Sequence, residues 1–544
     1  MSNSVQGAVS GADRVDVSAL SILDARWLCA LIIVGVTAVA LAVRWPYLLL
    51  FPRFTDETRE ALFALEIARG KNFPLTHFNA YIGVIHPYLL AGLFRVFGPH
   101  PALPRIVSAV FGALLAGLAA WLGWQFAAMD PRLANGARHR SALAVALLAG
   151  GLVAASFPLI VVNSHLGWSN CLTPFFTTLA LGVTWISVVR GRPAWLVVAG
   201  FLWGVALQTH PTVVTLLPGV AVWIVLHRQG RAWLRTGWPW LAVAAFAVGY
   251  GNMIWYNVMT HGGSITEALK AGNAYQTSPT LVERVMAIGA AGVQLSRMLA
   301  GAYTIQPDGD FPFELTPLVP LYGALALLAL AWAARRIETA ILPLAVASAA
   351  LLLPLVTNTF EGFHDTRYIA FMLPLVYLAL ALAVVGVWER WRRERHDSRP
   401  AWSNIVFAAA AILLAAFPLV SLARLYEASE GYGLTNAPFL ATAEAAHARA
   451  ANGAVVLLDR DTSSTALHGG GNTRRALEYV LTMTGTDFES ERPETIHWYL
   501  DNSQSRLFLI LADDDPELAA QQALTPTLWR GPGFVAYTVR SGQP

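Results

Sequence analysis

Two adjacent carboxylates, Asp56 and Glu57, follow the first long apolar run of this 544-residue sequence. A carboxylate at the edge of an apolar region can act as a general base or hold a cation, because a low local dielectric strengthens both interactions. A helix cap is the structural alternative for Asp56, since it directly precedes a segment with helical character. The local sequence leaves both interpretations open.

Other polar and aromatic residues stand where apolar runs end, at positions where ionisable groups are costly and usually functional. The candidate binding residues are Tyr81, His86, His165, Trp168, His210, His364, Arg367 and Tyr368. For each histidine taken alone, an interfacial side chain or a helix cap explains it equally well. Asp56 and His86 are also candidate ligands for a divalent cation. We expect these residues to form one site, because the topology described below places all of them on the same side of a membrane.

The composition requires lipid as the solvent for much of the chain. Hydrophobic residues make up 56% of it and charged residues only 13%, whereas soluble proteins carry roughly 25% charged residues. Since a spanning helix needs about 20 apolar residues, we predict an all-α polytopic membrane protein with about eleven transmembrane helices. The apolar runs lie at residues 27–50, 104–127, 142–162, 172–189, 194–210, 212–226, 239–258, 315–334, 339–357, 368–388 and 403–424. The fifth and sixth, separated only by residues 208–211, are expected to form a tight hairpin.

Arginines predict the orientation of the chain. They concentrate in alternate loops, and positive charge is retained on the cytoplasmic side. We therefore predict an inner-membrane protein with a cytoplasmic N-terminus and a periplasmic C-terminus. A further weakly apolar segment, residues 282–301, is expected to lie on the outer surface, because its insertion would move every later arginine loop to the wrong side. The arginine-rich loops contain Arg132, Arg138, Arg140, Arg190, Arg192, Arg228, Arg231, Arg235, Arg335, Arg336, Arg390, Arg392, Arg393, Arg395 and Arg399.

Two units are expected along the chain. Residues 1–430 form the membrane domain, with long outer loops at residues 51–103 and 260–314. Residues 431–544 form a small extracytoplasmic α/β domain, because short strand-like runs at 454–459 and 507–511 alternate with helical stretches at 441–451 and 516–523. Nucleic acid is not an expected partner, since the basic residues are explained by the cytoplasmic loops. Walker, paired-cysteine and GxSxG motifs are absent from the sequence.

The layout resembles the GT-C glycosyltransferases, closest to the protein-mannosyltransferase and aminoarabinose-transferase group. The resemblance covers residues 27–430 and rests on a first span, a long outer loop and four short motifs. These motifs are Thr55-Asp56-Glu57, His86-Pro87-Tyr88, residues 104–108 and Arg367-Tyr368. His86 departs from the pattern, because many relatives have lysine or another residue before this proline.

The resemblance implies the GT-C fold and an enzyme that takes a sugar from a polyprenyl-phosphate carrier. The acceptor would be a glycan, a lipid or a protein on the outer face of the membrane. Asp56 would be the catalytic carboxylate, and Glu57 would support it or contact a divalent cation. Arg367 would contact the carrier phosphate. Direct displacement assisted by one base inverts the anomeric centre, so an inverting enzyme is expected.

Two other functions remain open from the sequence. The first is a transporter or flippase for lipid-linked sugars, although transporters place charged residues in mid-membrane, and these runs are nearly free of charge. The second is a non-catalytic partner of a cell-envelope polymerase, which an active Asp56 would exclude.

Overall fold

The structure is a computed structural model of the whole chain. It describes residues 17–54, 56–130, 132–133, 138–274, 280–302, 318–356, 366–394, 402–431, 434–450, 455–458, 473–491, 507–510, 524–531 and 534–539.

Helices dominate the described residues. The α-helices are α1 Val17–Arg44, α2 Glu57–Ala68, α3 Ile85–Phe97, α4 Leu103–Met129, α5 Arg138–Ala155, α6 Phe157–Ile160, α7 Thr173–Val189, α8 Ala194–Thr209, α9 Leu217–Leu226, α10 Arg228–Trp233, α11 Trp238–Gly249, α12 Gly251–Met259, α13 Gly263–Ala274, α14 Leu281–Leu299, α15 Val319–Ala334, α16 Ile341–Val356, α17 Thr366–Ile369, α18 Leu373–Glu394, α19 Trp402–Gly431, α20 Ala437–Ala450 and α21 Thr473–Met483. Short 3-10 or π turns extend some of them, at Val161–His165, Ser169–Leu172, Pro211–Leu216 and Ala370–Met372.

A described helix lies on every predicted apolar run, and the chain is a multi-pass membrane protein. Four described helical segments are long and apolar enough to cross a membrane, and a fifth is added if α5 and the segment Phe157–His165, bent by 63° from it, form one span. Several other apolar helices are shorter, so the number eleven stays a prediction. The four segments are Trp27–Arg44, Leu103–Met129, Ser169–Val189 and Thr366–Arg392.

Helix α4 lies at the centre of the bundle, where it packs against α1, α5, α7 and α18. Its buried face consists largely of alanine and glycine. Small residues let helix backbones approach closely, which gives apolar helices good van der Waals contact inside a membrane. Gly117, for example, packs directly onto Thr37 of α1. Helices α4 and α1 therefore pack closely along their middle turns.

The predicted hairpin at residues 208–211 is wrong. Helix α8 packs against α7 and α11, whereas α9 packs against α16. The backbone at His210 is extended, with φ −167° and ψ 141°, and Pro211 follows it. The extended backbone ends α8 at this point, so His210 lies at the junction between α8 and the next helix.

A buried arginine stabilises the break between α5 and α6. The Arg44 guanidinium donates to the carbonyl oxygens of Ala40, Val153 and Ala154, at 3.0, 3.3 and 3.3 Å. Pro158 has no N–H with which to bond the Ala154 carbonyl, so the break leaves an acceptor that needs another donor. The chain then turns toward the segment that carries Trp168.

Helix α14 occupies the segment predicted to lie on the outer surface. It packs along α15 and α16 and contacts α17, and Gln294 lies 3.5 Å from the Thr366 hydroxyl. Its placement relative to the membrane surface stays a prediction.

The C-terminal residues form a mixed sheet and two helices. The strands of the sheet are β1 Val455–Leu458, β2 Phe488–Glu491, β3 Leu507–Ile510, β4 Leu524–Gly531 and β5 Phe534–Val539. Their order in the sheet is β2-β1-β3-β5-β4. Strand β1 pairs in parallel with β2 and β3, so Val455 lies opposite Phe488 and Leu507, and the other pairs are antiparallel. β1 and β3 fall on the two predicted strand-like runs and α20 on the first helical stretch, while residues 516–523 lie outside the described residues. The domain boundary at residue 430 stays a prediction.

Candidate active site

Asp56 lies at the start of α2, at the end of the segment that joins α1 to α2. Its backbone is helical, with φ −54° and ψ −21°, and its side chain makes no capping hydrogen bond. Asp56 therefore occupies the start of the helix, as the structural alternative expected, but its side chain does not cap the helix. The Asp56 side chain is 67% exposed, so its carboxylate is accessible to a reactant.

Arg367 faces this carboxylate. Its Nη1 lies 3.8 Å from Asp56 Oδ2, and its side chain is only 13% exposed. The guanidinium lies over the rings of Trp168 and Tyr368, with 4.5 and 4.9 Å to the centroids. His210 stacks on the Tyr368 ring at 5.1 Å. Cation–π contacts with these two rings orient the guanidinium beside the Asp56 carboxylate.

Glu57 is buried, although it is adjacent to Asp56 in sequence. Its carboxylate accepts from Arg105 Nε at 3.0 Å, from Arg105 Nη2 at 2.5 Å and from the Gly167 N–H at 2.7 Å. Gly167 packs against Pro104 so closely that a Cβ would overlap it. A carboxylate enclosed in this way cannot reach a reactant or hold a cation, so the structure favours a structural role over the expected catalytic one.

Arg105 uses all five of its N–H donors around this point. Besides Glu57, they reach the carbonyl oxygens of Leu48 and Phe51 at 3.0 Å and of Pro52 at 2.8 Å. The segment from residue 45 to Asp56, which we name the Asp56 loop, is therefore tied to the N-terminal end of α4.

A third carboxylate, Glu60, lies buried one helical turn further along α2. It is bonded to His86 Nδ1 at 2.9 Å and lies 3.4 Å from His77 Nε2, and it accepts from the Ser169 N–H and hydroxyl at 2.8 and 2.7 Å. Burial by itself would raise the pKa of the Glu60 carboxyl. Attraction to and hydrogen bonds from His77 and His86 outweigh burial and hold that pKa below its ordinary value.

The predicted cation ligands Asp56 and His86 do not form a metal site. His86 is committed to Glu60, and Asp56 faces Arg367. In the part of the chain that the structure describes, no group of three or more His, Cys, Asp or Glu side chains is arranged to hold a metal ion. Asp56 and His86 therefore do not together hold a cation.

Comparison with known proteins identifies the fold. The family described as dolichyl-phosphate-mannose-protein mannosyltransferase matches residues 133–255, a minority of the chain. A search of curated protein sequences finds no match. The crystal structure of ArnT from Cupriavidus metallidurans in the apo state superposes with a TM-score of 0.56 at 14% sequence identity, covering 93% of this chain and 97% of that one. The chain has the GT-C glycosyltransferase fold.

Two further solved structures are similar. ArnT from Cupriavidus metallidurans bound to undecaprenyl phosphate gives a TM-score of 0.52 at 14% identity, with the same coverage of both chains. The apo oligosaccharyltransferase of Archaeoglobus fulgidus gives 0.45 at 13% identity, covering 83% of this chain and 64% of that chain. The partial family match and the ArnT-like fold agree with the resemblance seen in the sequence.

His165 of this GT-C protein is not placed to bind a substrate. Its ring is fully buried and stacks on Phe51 at 4.9 Å. Nε2 is bonded to the Pro46 carbonyl at 2.9 Å and Nδ1 to the Ser164 hydroxyl at 2.8 Å. Because both ring nitrogens are used inside the protein, the prediction for His165 is wrong, and the residue supports the Asp56 loop instead.

The other candidates have different outcomes. Trp168, His210, Arg367 and Tyr368 are brought together beside Asp56. Tyr81 lies half-buried in the loop between α2 and α3, and its role stays a prediction. His364 lies outside the described residues. His86 is in the neighbourhood of the site but is buried against Glu60, which leaves it a structural contact rather than an exposed ligand.

Sequence reasoning missed Arg105, Glu60 and His77 as parts of this GT-C site. One signal was present for Glu60, because residues three apart on a helix share a face and Glu57 and Glu60 are so spaced. A charged residue on the inward face of a helix needs a buried partner. The partners themselves come from α3, α4 and the segment at residues 166–172, and no local pattern links these to α2.

Proposed function

We propose that the protein is an inverting glycosyltransferase that moves a sugar from a polyprenyl-phosphate-linked donor to a hydroxyl on the extracytoplasmic side of the membrane. The observation that carries this proposal is the 3.8 Å approach of Arg367 to Asp56. Asp56 provides an accessible carboxylate. Arg367, from a distant part of the chain, provides a guanidinium that lies over two aromatic rings. Transfer from a phosphate-linked sugar requires a general base for the acceptor hydroxyl and a cationic group for the leaving phosphate, and these two residues supply them.

The donor class is supported by chemistry and by the fold. ArnT, which shares the fold, has been crystallised with undecaprenyl phosphate, a polyprenyl phosphate. A guanidinium offers planar, paired donors that match phosphate oxygens and stays charged at any relevant pH. Arg367, half enclosed by Trp168 and Tyr368, is placed to hold the phosphate while the polyprenyl tail extends into membrane lipid.

In the proposed step, the acceptor hydroxyl gives its proton to the Asp56 carboxylate while its oxygen bonds to C1 of the sugar. The bond between C1 and the phosphate oxygen breaks, and its electron pair leaves with the polyprenyl phosphate. Arg367 stabilises the negative charge that builds on that phosphate. Because attack and departure occur on opposite faces of C1, the anomeric configuration inverts. The acceptor is a hydroxyl of a glycan, a lipid or a protein.

The test uses membranes that contain the protein and a panel of radiolabelled polyprenyl-phosphate hexoses and pentoses. Incorporation of label is followed in the lipid, glycan and protein fractions. Asp56→Asn keeps the size of the side chain but removes the base, so transfer should fall about 10²-fold or more while the amount of folded protein is unchanged. Glu66→Gln, which alters an exposed carboxyl on the same helix, should behave as wild type.

Near-normal transfer by Asp56→Asn would refute the assignment of the base. Failure of the wild type to consume any sugar in the panel would refute the donor class.

A further inference from the structure

The Asp56 loop is held from a second side by a residue of the C-terminal part of the chain. Asn436, fully buried immediately before α20, makes four hydrogen bonds to this loop. Its backbone N–H donates to the Leu50 carbonyl at 2.7 Å, and its side-chain Nδ2 donates to Leu49 and Pro52 carbonyls at 2.9 and 3.0 Å. Its Oδ1 accepts from the Phe54 N–H at 2.8 Å. This last bond is two residues from Asp56.

Helices α20 and α21 strengthen this contact through aromatic side chains. The Tyr479 ring meets Phe54 edge to face at 5.1 Å, and its hydroxyl donates to the Pro101 carbonyl at 2.7 Å. The Arg53 guanidinium lies 4.9 Å from the Phe439 ring centroid. These contacts join the Asp56 loop and the start of α4 to the same pair of C-terminal helices.

The contact between α2 and these helices is an apolar core separate from the main bundle. Ala61, Ala64 and Leu65 of α2 are buried together with Ala443 of α20 and Val480 of α21. Since apolar burial fixes the distance between packed helices, α2 cannot shift without disturbing α20 and α21. The C-terminal helices therefore contact both the loop before Asp56 and the helix after it.

Two anchors thus act on the Asp56 loop. Arg105 binds it from the membrane bundle and Asn436 from the C-terminal side, and the Pro52 carbonyl accepts from both. An asparagine side chain carries one acceptor and a pair of donors. Asn436 uses both functions here, so no smaller or purely apolar side chain replaces its contacts.

We infer that Asn436 is a positioning residue for Asp56, and that α20 and α21 complete the active site by fixing the carboxylate relative to the acceptor. The inference rests on the proposed function. A misplacement of about 1 Å in a catalytic group costs on the order of 10²-fold in rate. Arg367, Trp168 and Tyr368 lie on other elements, so a loosened Asp56 loop should slow the chemical step and leave donor binding intact.

The experiment compares Asn436→Ala, Asn436→Asp and a control, Thr442→Val. Thr442 is buried in α20, and among the described residues its hydroxyl has no hydrogen-bond partner, so the isosteric change should be neutral. In Asn436→Ala, kcat should fall about 10-fold or more with the donor KM within about twofold of wild type. Asn436→Asp keeps an acceptor for Phe54 but places a carboxylate oxygen against the Leu49 and Pro52 carbonyls, so its kcat should fall at least as far. Hydrogen exchange at the Phe54 amide should be faster in Asn436→Ala and unchanged in Thr442→Val.

The outcomes separate this inference from the proposed function. An active wild type with unchanged kcat and unchanged Phe54 exchange in Asn436→Ala overturns the inference alone. Failure of both Asn436 variants to fold, with Thr442→Val folded, would show a general structural role and also overturn it. A wild type that transfers no sugar overturns the proposed function and with it the catalytic meaning of Asn436.

Discussion

At the scale of single residues, two neighbouring carboxylates have opposite environments. Asp56 is open to the outside and faces Arg367, whereas Glu57 points inward to Arg105. One step along a helix turns a side chain by about 100°, which is enough to move it from the surface to the core. Removing one partner of a buried ion pair costs roughly 3–5 kcal/mol, so loss of Glu57 should appear as loss of folded protein rather than as loss of a reacting group.

Substitution of Arg367 should weaken binding of the donor. Arg367→Lys keeps the charge but loses the paired donors, so donor binding should weaken and persist. Arg367→Ala loses both, and the donor KM should rise at least about 10-fold, because a hydrogen bond to a charged group contributes roughly 1.5–3 kcal/mol. The kcat should also fall, since charge builds on the phosphate as the sugar leaves. Initial rates against donor concentration measure both changes.

Arg95 provides a matched control for Arg367. It is an arginine of α3 whose side chain donates to the carbonyls of Ala68 and Ile67, away from Asp56. Arg95→Lys should leave donor kinetics at the wild-type values. Donor KM and kcat that are unchanged in Arg367→Ala would show that Arg367 is only an interfacial anchor.

At the scale of elements, α2 is joined to its surroundings through one buried carboxylate. Glu60 bonds to His86 of α3, to Ser169 beside Trp168 and to His77 in the connecting loop. Three separate segments therefore converge on one side chain one turn from Asp56. Hydrogen bonds to this one buried side chain hold the neighbouring segments close to α2.

This network predicts a pH dependence of stability. The folded state holds the pKa of Glu60 below its ordinary value, which is about 4.3 in an unfolded chain. The resulting stabilisation is fully present above that value and is lost as the pH falls toward the folded pKa. Between pH 6 and pH 3.5, the Tm of the detergent-solubilised wild type should therefore fall more steeply than that of Glu60→Gln.

Thermal unfolding followed at several pH values checks this expectation. Glu66→Gln removes an exposed carboxyl from the same helix and should keep the wild-type slope. Parallel curves for wild type and Glu60→Gln would mean that Glu60 contributes nothing to the acid sensitivity of the fold.

At the scale of the whole molecule, apolar side chains remain on the outside of the bundle. Trp240 and Val248 of α11 and Leu327 and Leu328 of α15 are each at least 68% exposed. Exposed apolar side chains on helices of this kind are expected where the helices face lipid. The arginine-rich loops then orient the bundle, with Asp56 and the C-terminal residues expected on the extracytoplasmic side.

Labelling with a membrane-impermeant thiol reagent in intact cells tests this orientation. Exposed positions suit the experiment: Glu267 in α13, Glu444 in α20 and Ala232 in α10. We expect Glu267→Cys and Glu444→Cys to be labelled and Ala232→Cys to be protected until the cells are permeabilised. The wild type gives the background, because Cys29 and Cys171 are both buried. Labelling of Ala232→Cys with protection of Glu444→Cys would reverse the topology.

The sequence alone determined the class of the protein and the positions of its helices. Helices lie on all eleven predicted apolar runs because hydrophobicity sustained over a helical length is a local property. Short apolar runs in the sequence likewise predicted strands β1 and β3. The sequence identified Asp56 and Arg367 as candidate site residues, because each is an ionisable residue at the edge of an apolar run. Charges are costly at such positions and usually functional.

Only the tertiary structure decided which polar residues meet. The sequence treats Asp56 and Glu57 alike and assigns His165 to a binding site, but burial separates the first pair and encloses the histidine between Pro46 and Ser164. Arg105 and Asn436 had no signal in their neighbours along the chain, because most of their partners are backbone groups of a distant loop. Any residue presents the same carbonyl, so the sequence cannot specify such contacts, and packing of α4 and α20 against one loop determines them.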